Sequence, residues 1–121
     1  MIATTAHAAR QAANRIAKLV RHTPMEHSVA FSKRLDATVW FKLENRQETG
    51  SFKLRGATNR LLTLTDEQRA RGCIAASSGN HGAAVAFSMR QLGVTGIIFV
   101  PEGTSPAKVD KIRHYGGTVE V

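Results

Sequence analysis

Cysteine is nearly absent from the sequence, with Cys73 alone among 121 residues. One thiol excludes an internal disulfide framework and cannot by itself build a zinc centre, so Cys73 is expected inside a buried strand. Long apolar runs are missing as well. None approaches the roughly 20 residues of a membrane-spanning helix. The N-terminal segment sets Arg10, Arg15 and Lys18 among its alanines instead of a secretory apolar core. These absences point to a cytoplasmic chain with no membrane partner. Acidic residues are outnumbered, 9 against 17 basic, for a formal charge of +8. Such an excess fits an anionic ligand, nucleic acid, or an acidic complement elsewhere. The basic residues stand singly, and one Trp and one Tyr leave little for base stacking, so nucleic acid is not the expected partner. His7, His22, His27, His81 and His114 show no metal-ligand spacing with carboxylates, and no metal is expected.

What is present is a regular succession of short elements. Ala9, Ala13, Ile16 and Val20 recur at helical spacing and predict a helix over Ala6–Val20, broken by Thr23-Pro24. A short helix over Val29–Leu35 and a strand over Val39–Leu43 follow, then a loop from Glu44 to Gly50. Ser51 is placed to cap a helix with Leu54, Ala57, Leu61 and Leu64 on one face and Lys53 off that face. The run Thr65-Asp66-Glu67-Gln68 has the form of a capping box, and a domain boundary is expected there, dividing 1–65 from 66–121.

Beyond that boundary the sequence predicts strands over Cys73–Ser77 and Gly96–Val100, with a helix over Asn80–Leu92 between them, ended by Gly93. Ser105-Pro106 then opens a helix that stops at Gly116-Gly117, before a last strand from Thr118 to Val121. Apolar strands joined by helices give an α/β fold with a parallel sheet covered on both faces. The chain stops inside a predicted strand and reads as incomplete.

Two loops are candidates for chemistry, because ligands of open α/β sheets bind where strand ends feed helix starts. The first, Thr49-Gly50-Ser51-Phe52-Lys53, carries a lysine near a helix start, where the positive end of the dipole favours the free amine that can attack a carbonyl. The second, Ser77-Ser78-Gly79-Asn80-His81-Gly82, lets a ligand approach the backbone and offers helix N-terminal amides to a carboxylate or phosphate. Taken alone, this second loop also fits a plain strand-to-helix turn with an Asn or Ser cap.

Together, the run Glu44-x-x-Gln47-x-Thr49-Gly50-Ser51-Phe52-Lys53-x-Arg55-Gly56-Ala57, the Ser77–Gly82 loop and His22-Thr23-Pro24 resemble the fold-type II pyridoxal-phosphate enzymes, in the threonine/serine dehydratase and serine racemase branch. The resemblance covers almost the whole chain. It implies the N-terminal portion of a two-domain enzyme: 1–65 from the large cofactor-binding domain and 66–121 from the small α/β domain, in a homo-oligomeric parent. It implies pyridoxal 5'-phosphate as cofactor, with Lys53 as its Schiff-base lysine, Phe52 beside its ring and Asn80 at its ring hydroxyl. Ser77, Gly79, Asn80 and His81 would hold the carboxylate of a small amino-acid substrate. Two departures accompany it: Ala83 stands where the family usually has glutamine, and neither a glycine-rich phosphate loop nor a later Ser or Cys for the ring nitrogen is present.

The implied activity is ammonia-lyase (dehydratase) chemistry on serine, threonine or a related hydroxy amino acid, with Lys53 as the base that takes the α-proton. Ser78 keeps a second activity open. Racemisation needs acid and base groups on opposite faces of the α-carbon, and a serine hydroxyl at that place could be the second proton carrier. A third possibility is a noncatalytic fragment that needs a C-terminal part. Arg55 is open between a phosphate partner and a structural ion pair with Glu44 or Glu48.

Overall fold

In the computed structural model, which describes residues 2–121, the chain runs α1 (Ile2–Ile16), β1 (Met25–His27), α2 (Val29–Leu35), β2 (Trp40–Lys42), a 3-10 turn (Glu44–Arg46), α3 (Lys53–Leu62), α4 (Asp66–Ala70), β3 (Cys73–Ala76), α5 (Asn80–Leu92), β4 (Gly96–Phe99), α6 (Pro106–His114) and β5 (Thr118–Glu120). It is an α/β fold in which β3, β4 and β5 form a parallel sheet in that order. The shorter β1 and β2 pair antiparallel, Met25 opposite Lys42.

The core gathers around α5, whose residues from Gly82 to Met89 are all buried. One side of α5 meets the sheet, where Ala75, Ile98 and Val119 stand in one row of the register. The other side meets α3 through Leu54, Ala57, Thr58 and Leu61. Alanines at 83, 84 and 86 leave room for the helices to approach, so the polar pair between them is buried too. Thr58 and Ser88 share a hydrogen bond of 2.9 Å, and Ser88 donates a second to the carbonyl of Ala84 at 2.8 Å. Both side chains are thereby satisfied without water.

The structure amends the sequence reading in several places. Helices cover the sheet on the α5 and α6 side, whereas on the opposite side Ile74 is 73% and Phe99 39% exposed. Among the described residues the sheet is therefore not covered on both faces. The first helix ends at Ile16, four residues before the predicted stop. Strand β1 escaped prediction because all three of its residues are exposed and show no alternation. Ser51 does not cap α3: Phe52 occupies the N-cap position, and the Ser51 side chain is turned inward and buried. Cys73 is half-buried, and its burial raises the thiol pKa against a small opposing effect of Arg60. The capping box at Thr65 is present in full, with each side chain bonded to the other residue's backbone amide.

Candidate active site

The loop leading to Lys53 is held by a polar network. Glu44, at its start, accepts from Arg55 at both carboxylate oxygens, Nε to Oε2 at 2.9 Å and Nη2 to Oε1 at 2.7 Å. Such a two-pronged guanidinium–carboxylate pair fixes orientation as well as charge. Buried Thr23 donates its hydroxyl to the same carboxylate, and Arg55 Nη2 also donates to the Arg21 carbonyl at 3.3 Å. The Arg55 guanidinium is the main reason the Glu44 carboxyl sits below its ordinary pKa; partial burial opposes the shift, and Thr23 and Lys42 add to it. Arg55 is thus a structural ion-pair partner here.

A second clasp lies at Gln47, which is buried. Its side-chain oxygen accepts from the Arg21 amide at 2.8 Å, and its side-chain nitrogen donates to the Arg21 carbonyl at 2.9 Å. Gly50 turns the chain with φ +73°, a conformation that favours glycine. From the far end of the chain, Tyr115 donates its hydroxyl to the Glu48 carbonyl at 2.8 Å. The loop then delivers Lys53 at the first position of α3, exposed, with its amine 5.2 Å from the centre of the Phe52 ring. Among the described residues no carboxylate pairs with that amine. Thr49 Oγ1 and Ser51 Oγ, just before it, are buried without a hydrogen-bond partner.

The second loop is built by close backbone packing. A side chain at Gly82 would place its Cβ 2.4 Å from the Ser77 carbonyl oxygen, and 3.1 and 3.2 Å from methyls of Ile112 and Ile98. Gly79 is the N-cap of α5 and offers no side chain, leaving the amides of the first turn without a side-chain acceptor. The Gly79 amide itself donates to Ser77 Oγ at 3.2 Å. Lys111, on α6, donates to Asn80 Oδ1 at 3.3 Å and adds a cation beside that helix start.

Apart from Asn80, which opens α5 beside Lys111, the sequence-predicted residues fall into three groups in space. Ser77, Ser78 and Gly79 line an open cleft with Phe99, Val100 and Pro101. His81 lines a separate groove between α3 and α5, together with Gly56, three residues after Lys53. Lys53 and Phe52 stand on each other at the start of α3. Thr23 and Lys111 neighbour these loops without a sequence signal of it, because they lie 21 residues from Glu44 and 31 from Asn80.

The family model of pyridoxal-phosphate dependent enzymes matches residues 16–121. The chain belongs to that family. An L-threonine ammonia-lyase of Geobacter sulfurreducens is 46% identical over 110 residues, which is 91% of this chain and 27% of that relative. A biosynthetic L-threonine dehydratase of Haemophilus influenzae is 43% identical over 106 residues, covering 88% of this chain and 21% of the relative. Among solved structures, maize serine racemase superposes with a TM-score of 0.86 at 38% identity, over 92% of this chain and 34% of its own. A threonine deaminase of Solanum lycopersicum gives 0.82 at 34% identity, over 92% and 32%. The chain thus spans about a quarter of the length of these curated relatives.

The residues present fit the cofactor of this family. An aldehyde needs an amine free of a carboxylate partner, which Lys53 supplies. Negatively charged groups need donors, which the first turn of α5, Lys111 and the two orphaned hydroxyls of Thr49 and Ser51 can provide. No group of three or more His, Cys, Asp or Glu side chains is placed to hold a metal ion among the described residues. Nor is any described helix long and apolar enough to cross a membrane.

Proposed function

We propose that the complete protein is a pyridoxal-phosphate-dependent ammonia-lyase that removes water from serine, threonine or a related hydroxy amino acid, leaving a keto acid and ammonia. The observation that carries this reading is the unpaired amine of Lys53 on a helix packed against α5, whose uncapped N-terminus is the second loop. The relatives named as threonine ammonia-lyase and threonine dehydratase support the substrate class.

When bound, pyridoxal 5'-phosphate draws electrons from a substrate α-carbon and so weakens its bonds. The chain's own residues do the rest. Lys53 is the attachment point and, once displaced by the substrate amine, the base that takes the α-proton. Phe52 would pack against the ring, and the Asn80 side chain would meet the ring hydroxyl. Ser77, Gly79 and Asn80, with His81 from the neighbouring groove, would hold the substrate carboxylate at the positive end of α5 and so fix rotation about the bond to be broken. In this reading 1–65 and 66–121 belong to different domains of the complete enzyme, and α3 and α5 pack across their junction. The enzyme is cytoplasmic and self-associating, has no nucleic-acid partner, and uses no metal.

A second reading, racemisation, takes Ser78, half-buried in the cleft beside Ser77 and Gly79, as a second proton carrier to Lys53. The third, a noncatalytic fragment, predicts neither activity. The test is to supply the complete protein and cofactor with L-threonine or L-serine, and to follow keto acid release and loss of optical activity. Keto acid formation that survives Ser78→Ala supports the ammonia-lyase. Enantiomer exchange without keto acid, abolished by Ser78→Ala, would replace it with the racemase, and activity of the complete protein with none from residues 1–121 alone would support the fragment reading for this chain.

A further inference from the structure

The Glu44–Arg55 pair joins residues eleven apart, one at the start of the loop and the other two positions past Lys53. It therefore closes the loop into a ring containing the lysine. The ring is tied down at other points: Thr23 donates to Glu44, Lys42 donates to the Thr23 carbonyl, Gln47 clasps the backbone of Arg21, and Tyr115 holds Glu48. Only about a sixth of the Glu44 side chain and a third of the Arg55 side chain is exposed, so the pair is partly shielded from water. An ion pair so placed is not explained by stability alone, since apolar residues of similar volume often stabilise a protein as well or better. What it offers beyond that is one defined geometry. Phe52, the N-cap of α3, provides no side-chain cap, so the local hold on the first turn is the backbone bond from the Arg55 amide to the Phe52 carbonyl at 3.1 Å.

We propose that Glu44 and Arg55 are positioning residues for Lys53, clamping the first turn of α3 so that the amine projects from one fixed place. The proposal rests on the assignment of Lys53 as the attachment point, and its two readouts separate the two ideas. The first is amide hydrogen exchange of the chain without cofactor. In Glu44→Gln and Arg55→Met the Ala57 and Thr58 amides, which close the first turns of α3, should exchange about tenfold faster, while Ala84–Met89 in α5 keep their rates. The second is the share of borohydride-fixed pyridoxal phosphate found on Lys53 against Lys18, Lys33, Lys42, Lys108 and Lys111. That share should fall several-fold in both variants.

Arg55→Lys keeps the charge but loses the two-pronged geometry, and should fall between wild type and Arg55→Met in both readouts. It is also the variant to rely on if the other two fail to fold. Unchanged exchange in α3, or equal acceleration in α3 and α5, would overturn the clamp. If wild type shows no preference for Lys53, the attachment assignment fails, and the exchange measurement alone still decides the clamp.

Discussion

The two loops that build the candidate site are held by opposite means. The Lys53 loop is fixed by side chains, through the Glu44–Arg55 pair, the Thr23 hydroxyl and the Gln47 clasp. The Ser77–Gly82 loop is fixed chiefly by volume, through a glycine with no space for a methyl group, with only the Ser77 hydroxyl on the Gly79 amide and Lys111 on Asn80 as side-chain bonds. In the proposed function the contrast follows from what each loop presents. A lysine amine on a flexible stem needs an anchored base. Backbone amides that receive a carboxylate need only stay bare and aligned. The first loop should therefore be sensitive to charge and pH, and the second to size.

The largest effect should come from crowding the second loop. Gly82→Ala forces its new methyl against the Ser77 carbonyl and two isoleucines, with an expected loss of about 3 kcal/mol in denaturant unfolding. A loss below about 1 kcal/mol would show that this loop gives way and is not held by volume. Next comes Glu44→Gln, expected to cost about 2–3 kcal/mol by leaving Arg55 without its charged partner.

The pH dependence of that second difference sharpens the contrast. Glu44 has its pKa lowered in the fold by Arg55, with help from Thr23 and Lys42, so its contribution is complete above the ordinary glutamate value and fades as pH falls through the lowered one. The stability gap between wild type and Glu44→Gln should stay constant from neutral pH down to the usual carboxylate range and close only below it. The corresponding gap for Gly82→Ala should not respond to Glu44 at all.

Smaller effects probe the contact between the loops' helices. Thr58→Val removes the partner of Ser88, which keeps its bond to the Ala84 carbonyl, so about 1 kcal/mol is expected. Smallest of all is Lys111→Met. Its bond to Asn80 is long and exposed, and unfolding should shift by less than about 0.5 kcal/mol. A larger shift would mean that the second loop, too, depends on a charged side chain.

Much of this arrangement was legible in the sequence where the determinants are local. Helix α5 runs from Asn80 to Leu92, and Gly93 ends it with φ +64°, as spacing and glycine chemistry predict. The capping box at Thr65 needed only four consecutive residues. Both loops were legible too, because their motifs are contiguous. Determinants that act across the chain were not. The choice between phosphate and carboxylate for Arg55 depends on how a loop folds back on α3, and no periodicity encodes that. Ser51 has the chemistry of a cap, yet its side chain is buried and Phe52 takes the capping position. Strand β1 lacks alternation because neither of its faces is covered among the described residues.

Lys53 is proposed as the amine held ready for an aldehyde, and the most direct measurement is peptide mapping after pyridoxal phosphate and borohydride treatment of the wild-type chain. The predicted result is an adduct concentrated on Lys53. An adduct spread over all six lysines in proportion to their exposure would contradict it.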